Sequence, residues 1–199
     1  MSDIKNIEQH YSLDERPFLE KVRGFCQLVD DRYSPYLTDF LNPREIQIVE
    51  ELAHYYNLKF FVSSTLESEE YGRVILAPEY YELDDDDFEI KRLEISYARQ
   101  FNKLTHPKVL GALINQLGLD RQVFGDIILD EEGRVQFSIA SHLASYAIMT
   151  ITKIGNVSVT LKEVSKDDWI SNQENYSQSF VLLSSMRLDN VLATVLNLS

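Results

Sequence analysis

The stretch Asp126-Ile127-Ile128-Leu129-Asp130-Glu131-Glu132-Gly133-Arg134-Val135-Gln136-Phe137-Ser138-Ile139 decides the fold. Glu131-Glu132-Gly133 reads as a turn, since glycine reaches backbone angles that close a hairpin at little cost. After it, Val135, Phe137 and Ile139 alternate with Arg134, Gln136 and Ser138, the two-residue period of a strand with one face covered. Asp126–Asp130 and Arg134–Ile139 are therefore read as paired strands. Ahead of them, Val109, Leu110, Leu113, Ile114 and Leu117 keep helical spacing and stop at Gly118. Behind them, Leu143, Ala144, Ala147, Ile148 and Ile151 make a second helical stripe, with Ser141 as its N-cap. Phe88–Ile95 reads as a strand before the first helix, and Val157, Val159 and Leu161 alternate in a strand after the second. The order β-α-β-β-α-β over residues 88–164 predicts a ferredoxin-like unit, an arrangement that RNA-recognition domains share with many unrelated proteins.

Upstream, the first third reads helical. Phe18, Val22, Phe25 and Val29 predict a helix from about Leu13 to Arg32, with Pro17 early enough to be tolerated. Ser34-Pro35-Tyr36 ends it. Asn42-Pro43-Arg44-Glu45 then has the pattern of a capping box, followed by the stripe Ile46, Val49, Leu52, Ala53 and Tyr56. Leu58–Ser63 and Arg73–Ala77 predict a β-hairpin joined by the acidic stretch Ser64–Gly72. Downstream, residues 165–178 are polar without a period and read as a linker, with Trp169 a candidate to dock on the unit before it. From Ser185, a plausible N-cap, Leu188, Val191, Leu192, Val195 and Leu196 form an amphipathic stripe, and Asp189 suits the first turn of that helix. A helix so short needs its apolar face covered. The expectation is that it packs back on the chain or is the beginning of a module whose remainder lies beyond Ser199, in which case residues 187–199 would be loosely packed. The fold class expected is α+β, divided as 1–57 (N-terminal helices), 58–164 (the α/β domain with its core at 88–164), 165–178 (linker) and 179–199 (start of the last module).

Arg187-Leu188-Asp189, followed by Val191-Leu192 and Asn197-Leu198-Ser199, resembles the first helix of the α-L RNA-binding motif. Three further stretches, Leu37–Glu45, His106–Leu113 and Phe124–Ile127, resemble in the same order the bacterial YlmH family, whose members carry a helical N-terminus, a central RNA-binding domain and a C-terminal α-L motif. The resemblance spans nearly the whole chain. It implies a bacterial cytoplasmic protein that binds ribosomal RNA or tRNA at large ribosomal subunits carrying stalled peptidyl-tRNA, in ribosome-associated quality control, with an indirect link to cell division. In the α-L motif it places Arg187 and Asp189 at the RNA. The motif's second, basic helix would follow Ser199, and most of the RNA affinity is expected there.

Composition sets the bounds. A net charge of −13 opposes nucleic-acid binding, which normally needs a basic footprint. The acids concentrate before residue 105, however, and residues 105–165 are nearly neutral. No apolar run approaches a membrane span, and Cys26, the only cysteine, excludes a disulfide framework. Cys26 lies on an apolar helical stripe and reads as an inert buried thiol.

The outward positions of the last two core strands, Arg134, Gln136 and Ser138 together with Ser158, Thr160 and Lys162, contain no aromatic. Base stacking on this sheet is not expected. The face reads as solvated or as a surface for a protein neighbour, with Arg134 and Lys162 available for contacts to an RNA backbone. Thr105-His106-Pro107-Lys108 is an anion candidate through Lys108 and free N–H groups, against the plain alternative of a capped helix start. Asp84–Asp87 lacks the glycine and spacing of a calcium loop and reads as a solvated loop. The four histidines are scattered, and neither a phosphate loop nor a nucleophile elbow occurs. Asp189 has the Arg-Leu-Asp context of pseudouridine synthases but sits at a helix start, where it caps or touches RNA. The expectation is a non-enzymatic RNA-binding protein without metal or cofactor, partnered by ribosomal RNA or tRNA and the large subunit; the alternative is an acidic adaptor docking a basic partner such as a ribosomal protein. Oligomeric state is not legible.

Overall fold

The computed structural model describes residues 11–63, 69–118 and 120–170. In chain order the elements are α1 (Arg16–Arg32), β1 (Tyr36–Leu41), α2 (Pro43–Tyr55), β2 (Lys59–Val62), β3 (Gly72–Ala77), β4 (Ile90–Ser96), α3 (His106–Leu117), β5 (Phe124–Leu129), β6 (Val135–Ala140), α4 (Ser141–Thr150), β7 (Lys153–Ile154), β8 (Val157–Ser158) and β9 (Thr160–Glu163). The strands form three antiparallel sheets, in the orders β1-β3-β2, β5-β6-β4-β9 and β7-β8. The fold is α+β. The four-stranded sheet with α3 and α4 has the strand order of a ferredoxin-like unit.

In the N-terminal part, α1 turns Leu19, Val22, Cys26 and Val29 inward, with Phe18 and Phe25 at the margin of the core. Burial pushes the Cys26 thiol up to about 11. Asn42 caps α2 in the expected manner: its side chain accepts from the Glu45 N–H at 2.9 Å, and the Glu45 carboxylate accepts from the Asn42 N–H at 2.9 Å. Ile48, Val49, Leu52 and Ala53 of α2 pack with α1 against β3. The strand Tyr36–Leu41 was not legible as one. Its pairing with β3 shifts register between Leu37 and Phe40, which brings the adjacent residues Phe40 and Leu41 both into buried positions and hides the two-residue period.

The second core lies between one face of the larger sheet and helices α3 and α4. Leu93, Ile95, Phe137, Ile139 and Leu161 from the strands meet Val109, Leu113, Leu117, Ala144 and Ala147 from the helices. Burying each of the larger side chains among these contributes roughly 1.5–3 kcal/mol. Gly118, at φ 61, ends α3 as its composition predicts. Strand β5 starts at Phe124, two residues earlier than the alternation suggests. A register shift between Phe124 and Ile127 puts both on the helix side.

Other expectations need correction. Phe88 is not in a strand: Asp85–Phe88 form a 3-10 turn, Glu89 takes φ 49, and β4 begins at Ile90. The run Asp84–Asp87 is thus a locally bonded turn, in which Asp84 accepts from the Asp86 N–H at 3.1 Å and Asp87 accepts from the Asp84 N–H at 2.8 Å and from the Tyr81 hydroxyl. Ser141 does not cap α4. It is the first helical residue, and its N–H donates to the Glu89 carbonyl at 2.7 Å. Val157–Leu161 is divided between β8, which pairs with β7, and β9, which pairs with β4. No helix of the described residues is long and apolar enough to cross a membrane.

Candidate nucleic-acid interface

The face of the larger sheet turned away from α3 and α4 carries Arg92, Glu94, Gln136 and Ser138, as alternation requires. At these four positions it is neither solvated nor open to a neighbour, since all four residues are buried. The segment after β9 folds across it. The Gln136 amide donates to the Asp168 carbonyl at 3.0 Å and accepts from the Ile170 N–H at 3.0 Å. Trp169 lies over the Arg92 guanidinium, 4.0 Å from ring centroid to Cζ. Arg92 also pairs with Glu69, and from the first sheet the Phe40 ring comes down against Gly125, where a Cβ would stand 2.8 Å from it. The expectation that Trp169 docks on the unit before it holds. The expectation of a solvated face fails at Gln136 and Ser138, which the strap and the first sheet cover, and holds at Ser158, Thr160 and Lys162, which are exposed.

Arg134 and Lys162 sit at the edge of this covered face. Arg134 donates to the Glu94 carboxylate at 2.9 Å, and the Lys162 ammonium stands 3.4 Å from the other carboxylate oxygen. Burial alone would raise the Glu94 carboxyl. Hydrogen bonds from Gln136 and Arg134 and the charge of Lys162 outweigh it and hold Glu94 below the usual carboxylate range. A phosphate approaching either cation would compete with Glu94. Arg187 and Asp189 lie outside the described residues.

Lys108 is placed differently. On α3, Lys108, Gly111, Ala112 and Asn115 fall at i, i+3, i+4 and i+7, a second stripe beside the buried one formed by Val109, Leu113 and Leu117. This stripe faces the β7–β8 hairpin, whose Gly155-Asn156 turn uses φ 58 at the glycine. Between them runs a groove of about 660 Å³. Phe101, Asn102 and Lys103, from the segment after β4, also line it. Thr105 stands at the N-cap position without a side-chain bond to the start of α3, and no acid occupies the first turn.

The electrostatics of the groove run against those of the chain. Its lining holds Lys103 and Lys108 and no carboxylate. Both lysines are exposed, and neither has an ion pair among the described residues. The Gln116 amide is committed to the Lys153 carbonyl at 2.6 Å, and the Asn102 amide to the Ala98 carbonyl at 3.2 Å. The Asn115 and Asn156 side chains make no hydrogen bond among the described residues. Of the residues that line this groove, sequence reasoning reached Lys108 alone as a site candidate. The stripe Lys108, Gly111, Ala112, Asn115 was readable at helical spacing, but the approach of Phe101, Lys103 and Asn156 depends on tertiary packing.

A family model described as "Putative RNA-binding domain in YlmH" matches residues 84–168, which hold both the covered sheet face and the groove. Over 192 residues the chain is 32% identical to the Ribosome-associated protein quality control protein P2 of Bacillus subtilis (strain 168), a match covering 96% of this chain and 74% of that protein. The solved structure of Cell division protein ylmH from Streptococcus pneumoniae is similar with a TM-score of 0.72 and 40% identity, over 81% of this chain and 98% of that chain.

Proposed function

Because the chain belongs to the YlmH family, we propose that it is a non-catalytic, cytoplasmic RNA-binding protein that acts on ribosomal RNA or tRNA at the large ribosomal subunit, in ribosome-associated quality control. Any link to cell division is then indirect. The observation that carries this reading is the carboxylate-free groove with the uncompensated cations Lys103 and Lys108, in a chain whose net charge is −13. A cleft walled by one sign of charge focuses its field and raises the local concentration of the opposite charge. Phosphates supply that charge in RNA, and each one neutralised releases a counterion. Lys108 is thus a primary contact, and Arg134 and Lys162 are secondary ones that must first leave Glu94. Arg187, with Asp189 beside it, extends the interface by the resemblance to the α-L motif.

A mobility-shift titration of the chain against tRNA and a large-subunit ribosomal RNA fragment, at several salt concentrations, tests the reading. Lys108→Ala and Lys103→Ala should each weaken binding and reduce the slope of log affinity against log salt by about 0.7–0.9. Arg134→Ala should do less. Slopes that both lysine variants leave unchanged would overturn the groove as the phosphate contact. Binding to isolated ribosomal proteins with no RNA affinity would replace the reading by that of an acidic adaptor.

A further inference from the structure

We propose that the groove between α3 and the β7–β8 hairpin takes an unpaired nucleotide of single-stranded RNA, stacked on Phe101, with Lys103 and Lys108 on the adjacent phosphates and the Asn115 and Asn156 amides at the base edge. The proposal rests on the RNA-binding reading above and names the kind of RNA the site accepts.

Phe101 is the first observation. It is 85% exposed, at the tip of the turn after β4, and it borders the groove. A single exposed apolar residue is ordinary. One beside two free cations and two free amides matches the composition of sites that hold single strands, where an aromatic face stacks a base and cations track the backbone.

Gly111 is the second. It sits in the interior of the twelve-residue helix α3, where glycine is the weakest helix former after proline. Interior glycines are commonly explained by a neighbour too close for a Cβ. Here a Cβ would meet nothing within 4 Å. No packing inside the chain requires this glycine. It leaves the groove lining bare at this position, which suits close approach of a flat group from outside. Gly24 in α1 has similar free space but is not part of the groove.

The form of the ligand follows from the groove's shape. About 660 Å³ is within the range of small-ligand sites. Along its length an intact duplex offers its phosphates but no π-face, since its bases are stacked on each other. Only a base outside the stack can reach Phe101 while its phosphates meet the lysines. The amides of Asn115 and Asn156 each offer both a donor and an acceptor, which suits a base edge.

Fluorescence anisotropy with three labelled RNAs of equal phosphate number tests this: a hairpin with an unpaired loop, the same hairpin with abasic loop sites, and a blunt duplex. The intact loop should bind at least ~10-fold more tightly than the other two. Phe101→Ala should lower affinity for the loop by about 5- to 100-fold, the range for removing one aromatic platform, and leave the duplex unchanged; Phe101→Trp should keep loop binding. Gly111→Met adds a side chain to the groove lining from a position where a Cβ meets nothing within 4 Å. It should cut loop binding similarly while the melting temperature stays the same or rises, which separates blocked binding from misfolding. Equal binding of loop, abasic loop and duplex, with Phe101→Ala and Gly111→Met silent, would overturn the proposal and leave RNA binding standing. No binding of any of the three RNAs would overturn both. Unchanged RNA binding together with lost sedimentation on large subunits in either variant would mean that the groove docks protein, and would also overturn it.

Discussion

Glu94 shows how one side chain can restrain two candidate contacts. It accepts from Gln136 and Arg134 and draws Lys162, so its carboxyl titrates below the ordinary 4.5. Below that value the unfolded chain takes up the proton first. The stability that Glu94 provides is therefore complete above about pH 4.5 and is lost as pH falls through its lower folded value. Glu94→Gln should reduce stability at pH 7 by ~1 kcal/mol, since Arg134 and Lys162 are partly exposed and solvent-screened. It should also flatten the dependence of the urea midpoint on pH below 4.5. In the same variant Arg134 and Lys162 are released, so RNA affinity at low salt should rise; an unchanged affinity would remove both cations from the interface. Alternation correctly placed Arg134 and Lys162 away from the helix-side core. Their capture by Glu94, 40 residues before Arg134, has no local sequence signal, because it depends on which strands become neighbours.

The long helices and the undisturbed stretches of the long strands were legible, and the stretches with a register shift were not. The capping box at Asn42 and the stop at Gly118 are local devices, written within a few residues and present as expected. Strand β1 and the start of β5 each contain a shift, and there the two-residue period fails. The strap over the second sheet face was readable only as a lone tryptophan in a polar stretch. Its attachment consists of the Trp169–Arg92 stack, two hydrogen bonds to Gln136, and longer ones from Arg92 to the Ile170 carbonyl at 3.3 Å and from Arg134 to the Asp168 carbonyl at 3.4 Å. Trp169→Ala should therefore cost about 2 kcal/mol in a urea melt, from the lost stack and apolar burial, and should speed amide exchange at Ile170, whose N–H is held by Gln136. A variant with wild-type exchange at Ile170 would show that the tryptophan does not hold the strap.

At the scale of the molecule, the two halves meet through a few fitted contacts. The Tyr71 N–H donates to Asp126 at 2.9 Å, the Arg121 guanidinium lies 3.9 Å from the Tyr71 ring centroid, and Phe40 reaches the backbone at Gly125. A Cβ at residue 125 would stand 2.8 Å from Phe40 and 3.2 Å from Ser138, both of them buried. Gly125→Ala should thus destabilise by about 1–3 kcal/mol through overpacking. Adding Phe40→Leu should return part of that loss in a double-mutant cycle followed by thermal melting; strict additivity would mean that the two residues do not share the space. The strap across Gln136 has a mechanical consequence too. Because Asp168 and Ile170 are fastened to the sheet, the chain beyond Ile170 is tethered from a fixed point there and not from the end of β9. The seven residues 164–170, able to span about 25 Å if extended, add nothing to its reach. The point at which the chain leaves the described fold is therefore set by the sheet face under the strap, not by the last strand.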